Sequence, residues 1–266
     1  MAIITRIEVQ KRNNERYNIF IHQNGQDVYA FSVDEQVLIK QGLRKGLDID
    51  AEQMKQILYE DEVQKTFNLA LHYLSYRMRS VHEVRTYLKK KDREEPIIEH
   101  VLHRLTEQRL LDDHAFAEAF IQTKRATTSK GPLKLKQELA EKGVSEKTIE
   151  GALTTFSYEE QVEQVKAWLE KQKGRTFKGS SLAWKQKLSR QLLAKGYTSP
   201  VIEEAFADVP IKQEEEEEWE ALKAFGEKAM RKYAGKKAGW ELQQKVKQAL
   251  YRKGFSLEMI ERYLND

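Results

Sequence analysis

Apolar positions recur in one pattern along much of the chain. In LKLKQELAEKGVSEKTIEGAL (133–153), KQKLSRQLLAKGYTSPVIEEAF (185–206) and QKVKQALYRKGFSLEMIERYL (243–264), apolar residues stand eight and four positions before a Lys-Gly glycine and six and ten positions after it. The sets are Leu135/Leu139/Ile149/Leu153, Leu188/Leu192/Ile202/Phe206 and Val246/Leu250/Ile260/Leu264. A fourth copy, Val84/Leu88/Ile98/Leu102, keeps the same offsets around Asp92 instead of a glycine. The centres lie at 92, 143, 196 and 254, so the copies recur at intervals of 51, 53 and 58 residues. Helical spacing on both sides of a fixed break, repeated at such a period, predicts a helical-repeat architecture and a binding surface rather than a catalytic pocket.

Each glycine suits the C′ position of a helix, where the chain takes a positive φ. The residue after it is apolar in the three full copies (Val144, Tyr197, Phe255) and is placed to contact Leu139, Leu192 and Leu250 in a Schellman ending. Ser145, Ser199 and Ser256 stand where the next helix needs an N-cap. A further apolar-patterned stretch precedes each copy, at 60–76, 112–127, 158–172 and 214–233, so each module is expected to hold three helices. The second of these opens with Asp112-Asp113, read as a cap.

The first 35 residues follow another period. Ile3–Gln10, Arg16–Gln23 and Gln26–Val33 are rich in β-branched and aromatic residues, and Asn24-Gly25 joins the last two as a type I′ hairpin turn. A small antiparallel sheet is expected, then a short helix over Asp34–Gln41 and a linker around Gly42–Asp50. The fold class is therefore mainly α: tandem three-helix modules in an elongated array behind a small N-terminal antiparallel β segment. The expected divisions are 1–50 for the β segment and 51–110, 111–157, 158–211 and 212–266 for the four modules.

Composition narrows the chemistry. The chain has no cysteine, so disulfides, zinc ribbons and thiol nucleophiles are excluded. No apolar run approaches a membrane span and no signal-peptide pattern opens the chain, which makes a cytoplasmic home the expectation. His82-Glu83 fails as a metalloprotease start because Thr86 stands where the second histidine belongs. His100 and His103, with Glu99, lack a third ligand nearby, and no phosphate loop, dinucleotide glycine set or nucleophile elbow occurs. Neither an enzyme nor a metal or organic cofactor is expected.

Net charge is only +4, but the cations are grouped. LHYLSYRMR (71–79), VRTYLKKK (84–91), QTKRATTSKGPLKLK (122–136), KQKGRTFKG (171–179) and MRKYAGKKAGW (230–240) interleave Lys and Arg with aromatic residues. Several fall between the first and second helices of a module, which in an elongated chain makes a positive stripe suited to a long polyanion. Glu214–Glu218 runs the other way, either as a solvated helix start favoured by the helix dipole or as a contact for a basic protein surface.

Leu110–Val144 resembles the signature of the RecX family of bacterial recombination regulators. The matching residues are Leu111-Asp112-Asp113, Phe116-Ala117, Lys124-Arg125, Gly131-Pro132, Glu138-Leu139 and Lys142-Gly143-Val144. Leu74, Arg77, Arg79, Ser80, Glu83 and Val84 resemble the family's opening helices. The likeness extends from about residue 60 to the C-terminus, and the β-headed form is similar to that of low-GC Gram-positive bacteria. Two positions depart: Arg109 replaces a glycine and Ala115 a basic residue. The resemblance implies a non-enzymatic modulator of RecA that binds the RecA–single-stranded-DNA filament along its groove and restrains filament growth, ATP hydrolysis and strand exchange. The expected partner is that filament, with direct contact to DNA as a further possibility, and the chain is expected to be monomeric. The basic clusters then nominate Arg77, Arg79, Lys124, Arg125, Lys130, Lys134, Lys171, Arg175, Lys178, Arg231, Lys232 and Lys236 as contacts to filament or nucleic acid. The alternatives are a stand-alone helical-repeat nucleic-acid-binding protein and a helical scaffold for a protein partner.

Overall fold

The computed structural model describes residues 2–173, 175, 177–235 and 238–265. Strands β1 (Ala2–Gln10), β2 (Asn13–Gln23) and β3 (Gln26–Asp34) form an antiparallel sheet, and Asn24 and Gly25 turn between the last two with φ of 51° and 83°. The expected linker holds a further strand, β4 (Asp48–Ile49), paired with Ala2 and Ile3 to give the order β3-β2-β1-β4. Its anchor is Ile49, only 2% exposed, which joins Ile4, Ile19, Phe31 and Val33 in the sheet's apolar core.

Helix α1 (Glu35–Lys40) is capped by Asp34, and α2 (Ala51–Leu74) begins earlier than the expected position 60. The start of α2 is set by a capping box: Asp50 accepts from the Gln53 amide at 2.7 Å and Gln53 accepts from the Asp50 amide at 3.0 Å. The helix serves two cores. Met54 and Ile57 cover the sheet, while Val63, Phe67 and Ala70 pack with α3 (Val81–Lys89) and α4 (Glu95–Glu107). Between these cores Asp61 is almost wholly buried, held by Arg16 (2.9 and 3.1 Å), Lys65 (2.9 Å) and the Asp34 amide (2.8 Å). Burial raises the cost of its charge, but these donors outweigh it and keep the carboxyl below its usual range.

The remaining helices are α5 (Asp113–Thr127), α6 (Pro132–Glu141), α7 (Glu146–Leu153), α8 (Tyr158–Lys173), α9 (Ser181–Ala194), α10 (Ser199–Asp208), α11 (Glu215–Ala234), α12 (Gly239–Arg252) and α13 (Leu257–Asn265). Together with α2–α4 they make four three-helix modules, α2–α4, α5–α7, α8–α10 and α11–α13. Two compact units divide the chain: residues 1–117 with 141–148, and residues 118–140 with 149–266. The repeat's apolar positions line the cores, with Leu88, Ile98, Leu135, Leu139, Leu192, Val246 and Ile260 all at zero exposure.

The breaks at Asp92, Gly196 and Gly254 are the expected Schellman turns, and Gly143 has the positive φ, 75°, that such a turn needs. At Gly196 (φ 92°) the glycine amide donates to Leu193 O at 2.9 Å and the Tyr197 amide to Leu192 O at 3.1 Å. Asp92 takes the same left-handed conformation, φ 57°, with equivalent bonds from Asp92 to Lys89 (3.0 Å) and from Arg93 to Leu88 (3.2 Å). Ser145 and Ser256 cap as expected, each accepting from an amide three residues on at 3.2 Å. Ser199 does not: the N-cap of α10 is Thr198, and Ser199 with Pro200 lies inside the first turn. Proline, lacking an N–H, is well placed there, so the helix starts one residue earlier.

The glycines do more than end helices. Each Lys-Gly turn docks on the start of the middle helix of the preceding module. Ser80, the N-cap of α3, donates its hydroxyl to Lys142 O at 2.7 Å, and Ser180, the N-cap of α9, donates to Lys253 O at 2.7 Å. At the start of α6 the Gly131 and Leu133 amides donate to Lys195 O (2.8 Å) and Gly196 O (3.1 Å). The approach leaves no room for a side chain. A Cβ at Gly143, Gly196 or Gly254 would fall under 3.0 Å from His82, Lys134 or Ser180 respectively. At Gly196 the obstacle is the Lys134 backbone nitrogen, which cannot turn aside.

Gly196→Ala therefore combines left-handed strain with a backbone collision and is expected to destabilise by about 2–4 kcal/mol. Gly42→Ala, at φ 61° with open space around it, should cost only about 1 kcal/mol. Urea unfolding of both variants checks the difference, and equal losses would show that conformation alone, not the docked turn, fixes the glycine.

Candidate binding surface

The nominated cations lie just before or at the starts of the middle helices α3, α6, α9 and α12. A helix N-terminus beside lysine and arginine is ordinarily a phosphate cradle. Here the first-turn groups are already engaged by the following module. The Val81 amide donates to the Asp113 carboxylate at 2.9 Å, and the Ser181 amide donates to Glu218 at 2.8 Å, with the Ser181 hydroxyl also bonded to Glu218. Asp112 alone caps α5, accepting from His114 and Ala115 at 2.8 and 3.1 Å, and its neighbour Asp113 is thereby released to face α3. What the surface offers a polyanion is side-chain charge, so the state of each cation decides its use.

Seven of the twelve nominated residues are engaged internally. Arg77 pairs with Glu83 at 3.0 Å and Lys130 with Glu138. Arg125 pairs with Glu160 at 2.6 Å, donates to Thr155 O at 2.9 Å and lies 4.6 Å from the Phe156 ring centre. Arg79 lies 4.2 Å from the Tyr73 ring centre, with its buried Nε bonded to nothing. Tyr73 stacks on Tyr87 at 3.9 Å, and Lys91 sits 5.8 Å beyond Tyr87, so the column reads Arg79–Tyr73–Tyr87–Lys91. Lys124 lies over Phe120 at 5.4 Å, Lys232 over Tyr233 at 5.3 Å, and Lys134 donates to Gln137 at 2.8 Å. Arg231 makes only a 3.5 Å pair with Glu227 between two highly exposed side chains, which is worth little and leaves it available. Lys236 lies outside the described residues.

Lys171, Arg175 and Lys178 differ: all three are exposed and none has an ion-pair partner among the described residues. They occupy the last turn of α8 and the segment leading to α9. In several clusters the interleaving of cations and rings is thus internal. The rings at 73, 87, 120 and 156 are already faced by the chain's own cations, a contact worth about 0.5–1 kcal/mol at exposed sites. The sequence reading also passed over Lys228, exposed on α11 and likewise without an ion partner. Its only signal was helical spacing from Glu217, Ala221 and Ala224.

Glu83 is the electrostatic centre of the first joint. It closes a capping box on Ser80 and receives Arg77 at 3.0 Å and Lys142 at 2.8 Å. Burial opposes its charge, yet the bonds from Arg77, Lys142 and the Ser80 amide bring its pKa down to about 2. Asp113 moves the other way: burial lifts it, against the bond from the Val81 amide, and the nearby Asp112 and Glu83 charges add to the rise. Arg109, at the turn before Leu111-Asp112, holds φ 55° and makes a Schellman ending through Leu110 N–H to Leu105 O at 2.9 Å. A glycine would be at ease in that conformation, which accounts physically for the departure noted in sequence.

Four three-helix modules behind a small sheet, each middle helix but the last bound to the turn of the next module, define a helical-repeat protein. Comparison with known proteins agrees over the whole length. The family model of the regulatory protein RecX N-terminal domain matches residues 2–50, and those of the first, second and third RecX three-helix domains match 67–105, 112–153, and both 159–206 and 215–264. A "Regulatory protein RecX" from Geobacillus sp. (strain WCH70) is 46% identical over 265 residues, covering 100% of this chain and 97% of its own. One from Bacillus subtilis (strain 168) is 44% identical over 266 residues, covering 100% and 99%. A solved structure titled "Crystal structure of regulatory protein RecX" aligns with a TM-score of 0.56 at 30% identity, covering 100% of both chains. The RecX structure from Lactobacillus salivarius aligns at 0.54 and 31% identity, over 56% of this chain and 97% of its own. The chain belongs to the RecX family.

The Glu83 geometry carries a pH signature. A carboxylate brought from 4.5 to about 2 contributes stability that is complete above pH 4.5 and is lost as pH falls toward 2. Asp113, raised on folding, costs stability once ionised, and acid relieves that cost. Glu83→Gln should therefore lose stability at neutral pH and flatten the decline below pH 4.5, as read from urea midpoints across that range; an unchanged slope would remove Glu83 from the acid transition.

Proposed function

We propose that this protein is a non-enzymatic modulator of RecA, binding the RecA–single-stranded-DNA filament along its groove and restraining filament growth, ATP hydrolysis and strand exchange in DNA repair and recombination. The observation that carries the reading is the match of family and relatives from end to end, with relatives named regulatory proteins RecX. The surface chemistry supports it. A chain of modules presents several weak sites in series to a periodic target, and linked weak sites gain affinity through effective concentration. Lys171, Arg175 and Lys178 provide charge with no ion partner among the described residues, directed at filament phosphate or acidic protein surface.

Fluorescence anisotropy with labelled single-stranded DNA, bare or coated with ATP-bound RecA, tests the proposal across a salt series. Tighter binding to the coated strand, with a parallel fall in ATP hydrolysis, is expected. Equal or tighter binding to bare DNA with ATP hydrolysis untouched would replace it with a plain nucleic-acid binder. Changing Lys171, Arg175 and Lys178 together to alanine should weaken filament binding about tenfold. If they meet phosphates, the salt slope should fall by about 2, at about 0.7 per cation on a single strand.

A further inference from the structure

Helix α11 carries more apolar surface than its own module uses. Leu222, Gly226 and Ala229 are buried with α12 and α13, and Trp219, Met230 and Tyr233 pack beside them. Gly226 is required there, because a Cβ would enter the Tyr263 ring. A second, narrower strip runs along another side of the helix. Glu217, Ala221, Ala224 and Lys228 share this side at helical spacing, and with Phe225 and Phe177 they line an open cleft of about 680 Å³. The floor is Ala221, Ala224 and the two phenylalanine rings. Two small residues between two large ones make a trough that a single bulky apolar side chain fills.

The rim is charged and divided. Glu216, Glu217 and Glu220 stand at one end, with Lys178 and Lys228 also at the edge. Glu220 pairs with Lys223 along the helix, but Glu216, Glu217, Lys178 and Lys228 have no ion partner among the described residues. Elsewhere on this unit helix-surface charges are commonly paired, as in Lys166–Glu163, Lys173–Glu170 and Lys247–Glu261. Helix-dipole compensation does not account for the whole acidic run either, since Glu218 is taken by Ser181 while its neighbours face the cleft.

Resting on the RecA reading above, we infer that this cleft docks a segment of a RecA protomer: an amphipathic stretch with a bulky apolar side chain for the trough and a basic residue for Glu216 and Glu217. Lys178 and Lys228 then meet an acidic group on the same segment. Contact of this kind depends on apolar burial, so it persists at salt concentrations that release phosphate contacts.

The test uses the full chain and RecA-coated single-stranded DNA. Ala224→Gln fills the trough with a neutral side chain at an exposed position, and Ala224→Ser leaves it open. The first should weaken filament binding about tenfold at high salt, the second should bind as the unchanged protein, and neither should alter binding to bare DNA. A second variant, Glu216→Lys with Glu217→Lys, should lose a similar factor, with circular dichroism melting confirming the fold of each. If the unchanged protein prefers coated DNA and Ala224→Gln binds it equally well, the cleft is overturned and the RecA reading stands. If the unchanged protein shows no preference for coated DNA, both fall.

Discussion

The constraint on which this molecule depends is that a helix start cannot be left with unpaired amides and hydroxyls inside a protein. The middle helix of a module meets that constraint with groups from the module after it. Ser80 and Ser180 give their hydroxyls to the carbonyls of Lys142 and Lys253, and Gly131 gives its amide to Lys195. A Schellman turn suits the purpose, because it leaves carbonyls at the end of a helix pointing outward. The joint is thus a meeting of one helix start with another helix end, and it is short enough that only glycine fits at its centre. Carboxylates reinforce two of the three joints, Asp113 on Val81 and Glu218 on Ser181.

This arrangement separates two uses of charge. Many cations serve the chain itself, with Arg125 fixed to Glu160 and Thr155 and Arg77 and Lys142 converging on Glu83. Lys171, Arg175 and Lys178 of the third module, and Glu216 and Glu217 on α11, have no ion partner among the described residues.

Much of this was legible in sequence, and the omissions have physical causes. The apolar offsets around Asp92, Gly143, Gly196 and Gly254 located the helix pairs because packing imposes a period that survives substitution. The β-branched runs and Asn24-Gly25 located the hairpins for the same reason. Strand β4 escaped because two residues hold no period; only the burial of Ile49 reveals it. The glycines were read as turn formers, which they are, but their second role depends on a neighbour 61 to 74 residues away and leaves no local trace. For the basic–aromatic clusters, spacing places Arg79 near Tyr73, but whether the cation faces its own ring or a ligand is a question of three-dimensional contact. Asp113 and Glu218 looked like helix-start acids, and each in fact reaches across to another helix.

The direction of these joints gives the chain a temporal order. As a ribosome delivers it, α3 finds its closing partners only after residues 113 and 142 have emerged, α6 waits for 195 and 196, and α9 for 218 and 253. Each module is finished by the one synthesised after it. Among the described residues no following module closes the start of α12, whose N-cap Ala238 has no side chain able to accept a hydrogen bond and whose first turn holds Trp240 at 72% exposure. A nascent chain stopped at any module boundary therefore carries one unfinished helix start in the module behind the break, which is where surveillance by chaperones and proteases would find it.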